Sequence, residues 1–184
     1  MKTINEEILK IADKAYVKIL VNEEIVEIRH KFSFRNNSNW GLFFVLLGGL
    51  ILLIVQIVNI SEESSTNLHL ILGLLLTLYS SFSLALQYTD EVIIENKIIK
   101  FHYNFKSTVF YLNNEKNINM KTEVIKANPF TGAFGYDYFI VTHFLQDQNI
   151  EIPIFKFQMI NEEAENAKKL GNELTRILND KILK

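Results

Sequence analysis

The sequence predicts an α+β membrane protein: a two-helix transmembrane hairpin joined to an antiparallel β-barrel or sandwich that a C-terminal α-helix caps. Three observations predict it. Two runs without a charged residue are each long enough to cross a bilayer, the stretch after them alternates in short apolar and polar runs, and the last segment is amphipathic with a helical period.

At the N-terminus Ile4, Ile8, Ile11, Ala12, Ala15 and Ile19 keep helical spacing, and Val26, Ile28, His30, Phe32 and Phe34 keep strand spacing, so a helix followed by a strand is expected. A lone strand is unstable. This one is expected to join the sheet formed after residue 89, stapling the sequences on either side of the hairpin into one domain.

From Trp40 to Ile60 the chain reads WGLFFVLLGGLILLIVQIVNI with no charge. At about 1.5 Å per residue such a helix spans the hydrocarbon core of roughly 30 Å. A second run, Leu68 to Tyr88, carries no acid, Lys or Arg, and SEESSTN between them is too short and polar to be a domain. Arg29, Lys31 and Arg35 precede the first run, Lys97, Lys100 and Lys106 follow the second, and the connecting loop has neither residue type, so both termini are expected on the cytoplasmic side of the membrane. Trp40 and Tyr88 then sit at the same interface, and Glu62 and Glu63 face outside. The first run starts only after 39 residues with many charges, which argues for a retained anchor rather than a cleaved leader.

Lipid gives helices little hydrophobic reason to pair, so small residues that let backbones approach matter most. Gly73, Thr77, Ser81 and Ala85 recur every four residues and form the expected contact face, with Gly48 and Gly49 opposite. Gln56 is read as a hydrogen bond across the hairpin or to a partner helix, because the two runs hold no Asp, Glu, Lys or Arg to build a transport path with it.

After residue 89 strands are expected at Glu91–Glu95 and Ile98–Phe105 around an Asn96-Lys97 turn, then at Ser107–Leu112, within Ile118–Lys126, at Tyr136–Phe144 and at Ile150–Phe157. Ile99, Phe101, Tyr103 and Phe105 alternate with Lys100, His102 and Asn104, the pattern of a sheet with one wet face. Tyr136–Phe144 is apolar on both faces apart from Asp137, Thr142 and His143 and should be central, whereas Pro153 makes the last strand an edge. A C-terminal helix follows, capped by Asn161, with Ala164, Ala167, Gly171, Leu174, Ile177 and Leu178 along its apolar stripe. Gly171 costs about 1 kcal/mol relative to Ala inside a helix, which points to close backbone approach.

The domain order is therefore 1–39, an N-terminal cytoplasmic helix and strand; 40–60 and 68–88, the transmembrane helices, with 61–67 an external loop; and 89–184, the cytoplasmic β domain with its helix. YTDEVIIENKIIKF after a membrane hairpin, some six strands, and a single helix after a strand ending IPIFKF resemble the bacterial pleckstrin-homology-like membrane proteins. The resemblance implies a small barrel or sandwich closed by a helix, non-enzymatic, used for oligomerisation or for holding partners near the inner membrane. It supplies no binding residues.

Chemistry is mostly excluded. The 184 residues, 48% hydrophobic, carry 19 Lys and Arg against 21 Asp and Glu, a net charge of -2, without the basic footprint of nucleic-acid binding. With no cysteine there is no disulfide, thiolate site or cysteine nucleophile, and no phosphate loop, H-E-x-x-H, G-x-S-x-G or calcium loop occurs. His30, His69, His102 and His143 are scattered, and Asp137 lies six residues from His143, roughly 20 Å along a strand. No cofactor and no metal are expected. Asn128–Tyr138, NPFTGAFGYDY, is read either as a long connection whose aromatics fold back or as an aromatic contact loop with Phe130, Phe134 and Tyr136 as its partner-binding residues. The expectation is an integral, multi-pass, non-enzymatic interaction module that binds a protein partner or itself. The alternative is a component of a membrane enzyme or transport complex whose site another chain completes.

Overall fold

The computed structural model describes residues 4–31, 37–58, 66–88, 90–103, 106–112, 116–126, 136–147 and 150–182. It is a mixed α+β chain with antiparallel sheets and a C-terminal helix, divided into two compact units, Met1–Phe32 with Tyr88–Lys184 and Ser33–Gln87.

In the first unit, helix α1 (Glu6–Lys14) opens on Asn5, whose side-chain oxygen accepts from the Glu7 N–H at 3.0 Å. Ile8, Ile11 and Ala12 are buried on one face. The helix ends earlier than the spacing of Ile19 implies, because Tyr16 takes φ 55° and the chain turns into strand β1 (Val17–Val21). This strand is a correction to the sequence reading. Its signal was Val17, Ile19 and Val21 alternating with Lys18, and Asn22 at its end accepts from the Glu24 and Ile25 N–H groups to turn the chain. Strand β2 (Ile25–His30) follows; Phe32 and Phe34 lie outside the described residues.

Strands β3 (Glu91–Glu95) and β4 (Ile98–Tyr103) flank Asn96 and Lys97, which take φ 49° and 60°, the left-handed pair of a two-residue hairpin. Lys97 holds a place usually given to Gly, and the well-matched strands on either side hold it there. Strand β5 (Lys106–Tyr111) completes one sheet of order β1-β2-β3-β4-β5; β6 (Asn117–Ile125), β7 (Tyr138–Asp147) and β8 (Ile150–Ile160) form the other. Tyr138–Asp147 is the central strand of its sheet, and Pro153 lies on the edge strand beside an irregularity where His143 faces Phe155 and Phe144 faces Pro153.

Among the described residues the strands form two sheets and do not close into a barrel, which corrects the barrel half of the expectation. The physical reason is visible at Ile118. Its N–H donates to Asn179 Oδ1 at 2.7 Å, and its carbonyl accepts from Asn179 Nδ2 at 2.8 Å, so a helix side chain takes the place of a neighbouring strand at the start of β6.

Helix α4 (Ala164–Ile182) lies against both sheets and carries Ala167, Leu170, Gly171, Leu174, Ile177 and Leu178 into a shared core with Ile28, Val92, Ile99, Ile118 and Phe155. Asn161 is not its cap. Residues 161–163 form a 3-10 turn, and the Asn161 N–H donates to the Asp137 carbonyl at 2.8 Å. At Gly171 an added Cβ would stand 2.8 Å from both Met120 Sδ and Val141 Cγ1, so only Gly lets the helix lie this near β6 and β7.

The second unit holds α2 (Asn37–Val58) and α3 (Thr66–Tyr88). Leu68–Ala85 is long and apolar enough to cross a membrane, and Gly41–Ile57 is a shorter apolar stretch among the described residues.

Candidate interaction surfaces

The contact between α2 and α3 is built on glycine. A Cβ added at Gly49 would meet Thr77 Oγ1 at 2.6 Å, the Thr77 nitrogen at 3.0 Å and the Gly73 carbonyl oxygen at 3.1 Å. One added at Gly73 would meet the Gly49 carbonyl oxygen at 3.1 Å. Backbone on backbone at this range is what small residues permit. Hydroxyls inside the seam are satisfied locally: Thr77 donates to the Gly73 carbonyl at 2.8 Å and Ser80 to the Leu76 carbonyl at 2.6 Å.

Of the six residues expected in this contact, Gly49, Gly73 and Thr77 meet. A Cβ at Gly48 would meet nothing within 4 Å, and Ser81 and Ala85 are exposed, while Ser80 is fully buried. The reason is helical drift. Steps of four residues advance about 40° around a helix each time, whereas alternating steps of four and three keep to one side, so a seam through Gly73 and Thr77 continues to Ser80 rather than Ser81. Gln56 Oε1 is buried with no hydrogen-bond partner among the described residues.

Tyr136, 51% exposed, directs its ring toward solvent just before β7. Phe130 and Phe134 lie outside the described residues.

The histidines separate by environment. His143 is fully buried, its ring near Phe155 and Phe157, with Nε2 3.1 Å from the Gly171 carbonyl, so that nitrogen carries the proton of the neutral ring. Burial pushes its pKa from 6.5 down to about 4, outweighing the Gly171 carbonyl, which favours the charged form. His30 stacks on Phe155 at 4.9 Å, and burial lowers its pKa too. His102 is exposed on the wet face of β4, 4.0 Å from Glu91. Among the described residues no three His, Asp or Glu side chains group as metal ligands.

A shallow groove runs between α1 and β1–β2, lined by Leu9, Asp13, Lys18, Arg29 and Lys31. Its cations are partly neutralised, Lys31 by Asp13 at 2.6 Å and Arg29 by Glu27 at 3.1 Å.

Sequence reasoning missed Asn179. A polar amide between Leu178 and the buried Ile182 was its signal, but which backbone it would reach depends on the sheet beneath. No family model matches the chain, no curated protein matches its sequence, and no solved structure matches it.

Proposed function

We propose that the chain is a non-enzymatic, membrane-anchored interaction module. In this reading α2 and α3 cross the inner membrane as a hairpin, both termini are cytoplasmic, and the β unit is held at the surface to engage a protein partner or a second copy. The pairing of β2 with β3 carries the proposal. Arg29 lies opposite Glu91 and Ile28 opposite Val92, so the chain leaves one strand, passes through α2 and α3, and returns to the adjacent strand of the same sheet. An odd number of crossings would put two hydrogen-bonded strands on opposite sides of a bilayer. If α3 crosses, α2 must cross with it, although its described apolar stretch is the shorter.

Exposure supports the same reading. Phe44 (61%), Ile54, Ile57 (62%), Leu75 and Leu78 face outward from the helices, an arrangement that suits lipid and not water. Lysines and arginines avoid residues 61–67 and flank both helices. Two antiparallel sheets followed by a C-terminal helix are compatible with the pleckstrin-homology-like resemblance, which we carry as part of the proposal, and the aromatic segment with Phe130, Phe134 and Tyr136 is its candidate partner contact.

Reporter fusions test the topology. A reporter after residue 64 should be active only outside, and one after the C-terminus only inside. Activity of both on the same side would overturn the anchored module.

A further inference from the structure

Sheets end in edges, and natural edges are protected because their unpaired N–H and C=O groups template further pairing. Among the described residues four edges exist: β1, β5, β6 and β8. β8 carries Pro153 and an irregular register; β1 and β5 are short, five and six residues. β6 has nine residues, and its half from Lys121 to Ile125 is exposed on both faces.

The direction of its free backbone groups follows from Asn179. Because both the N–H and the carbonyl of Ile118 bond that side chain, they point away from β7, and strand alternation points those of Met120, Thr122 and Val124 the same way. Asn179 thus substitutes for a neighbouring strand at Ile118 and leaves three outward residues beyond it. Among the described residues no strand pairs with them.

We propose that this edge pairs with itself: two copies join β6 to β6 antiparallel about a two-fold axis at Thr122, making one six-stranded sheet from two three-stranded ones. The inference rests on the interaction-module reading and names the partner as a second copy of this chain. An antiparallel edge can pair only outward residue to outward residue, and a two-fold at Thr122 meets that condition. It sets Thr122 opposite the partner's Thr122 and Met120 opposite the partner's Val124. The same register sets Lys121 opposite the partner's Glu123, and Glu123 opposite the partner's Lys121. Both are exposed and lie on one face of the strand, so the dimer gains two cross-strand pairs of opposite charge, the kind that stabilises a ladder, where like charges would block it. In the single chain Lys121 bonds Glu151 of β8 and lies over the Phe144 ring, so its ammonium reaches across β7 and must swing back over the edge to meet the partner's Glu123. Val124, 49% exposed, gains an apolar neighbour in the partner's Met120. Three residue pairs exchanging hydrogen bonds form a weak contact in solution, and confinement to a membrane raises the effective concentration that such a contact needs.

The chain has no cysteine, so a single introduced thiol reports the contact directly. Opposed hydrogen-bonded residues have Cα atoms about 5.5 Å apart, inside the roughly 4.4–6.8 Å a disulfide spans. The full chain carrying Thr122→Cys, oxidised in its membrane, should form a covalent dimer, and Val109→Cys on another edge, β5, should not. Adding Glu123→Lys to Thr122→Cys should remove most of the dimer, and Lys121→Glu on top of both should restore it. No dimer from Thr122→Cys, equal yields from the two thiols, or a yield indifferent to Glu123→Lys would each overturn the pairing. Any of these results leaves the anchored-module reading to its own topology test.

Discussion

In the helical unit Phe44, Ile54 and Ile57 face outward, while Gly49, Gly73 and Ser80 lie inside. In the β unit Ile28, Phe155 and Leu170 lie inside, and Lys18, Lys100 and His102 face outward. In the membrane-anchored reading proposed above, the inversion follows from the surroundings of each unit rather than from residue type. Where the outside is apolar, the interior is sorted by size, and small residues win the seam; where it is water, the interior is sorted by polarity, and large aliphatic residues win the core. One device is common to both units. Gly171 and Gly49 each sit where a Cβ has no room, the first against the side chains of Met120 and Val141, the second against Thr77 and the Gly73 backbone.

That shared device can be tested hardest in the β unit. Gly171→Leu must place four carbons where the first already collides with a stiff Val141, so it should cost more than the cavity left by Leu174→Ala, that is, more than about 3 kcal/mol. Urea unfolding of the full chain in detergent would measure both. A smaller loss for Gly171→Leu would mean that α4 can lift from the sheet, and the parallel with Gly49 would fail.

The second test uses the polar group buried in the β unit. Unfolded His143 protonates near 6.5, and folded His143 only near 4, so above pH 6.5 both states are neutral and the shift has no effect. Below it the unfolded state binds a proton that the folded state excludes, and stability falls as pH drops. Between pH 6.5 and pH 5 the loss is about 2 kcal/mol. The melting temperature should decline over that interval and decline less in His143→Leu, with His30 supplying a remaining slope of the same sign. An unchanged slope in His143→Leu would place the acid sensitivity elsewhere.

The smallest effect belongs to the helical unit and sharpens the comparison most finely, because it separates two adjacent glycines. Gly49→Val should loosen the α2–α3 contact by about 1 to 2 kcal/mol, whereas Gly48→Ala, with nothing near its Cβ, should leave it unchanged. Resistance of the α2–α3 pair to unfolding in dodecyl sulfate distinguishes them. Equal behaviour would mean that packing in this unit is not glycine-dependent.

Local pattern carried much of this architecture. The uncharged runs, the alternation through Ile99 and Phe101, the Asn96-Lys97 turn, the edge position implied by Pro153 and the close approach at Gly171 could all be read from spacing, because each depends on residues near one another in the chain. The strand Val17–Val21 was legible in principle and lost to a helical period that ran on through Ile19; the left-handed turn at Tyr16, which no periodicity signals, decides between them.

What only the tertiary structure decided is non-local. That Ile118 presents its backbone to Asn179, and that among the described residues the sheets stop short of a barrel, depend on which surfaces meet, at sequence separations where the chain's own pattern says nothing about partners. Periodicity determines which face of an element is apolar. The identity of the element that covers that face, and of the backbone groups left unpaired at its edge, is settled by packing and hydrogen-bond geometry between segments that come together only in the folded chain.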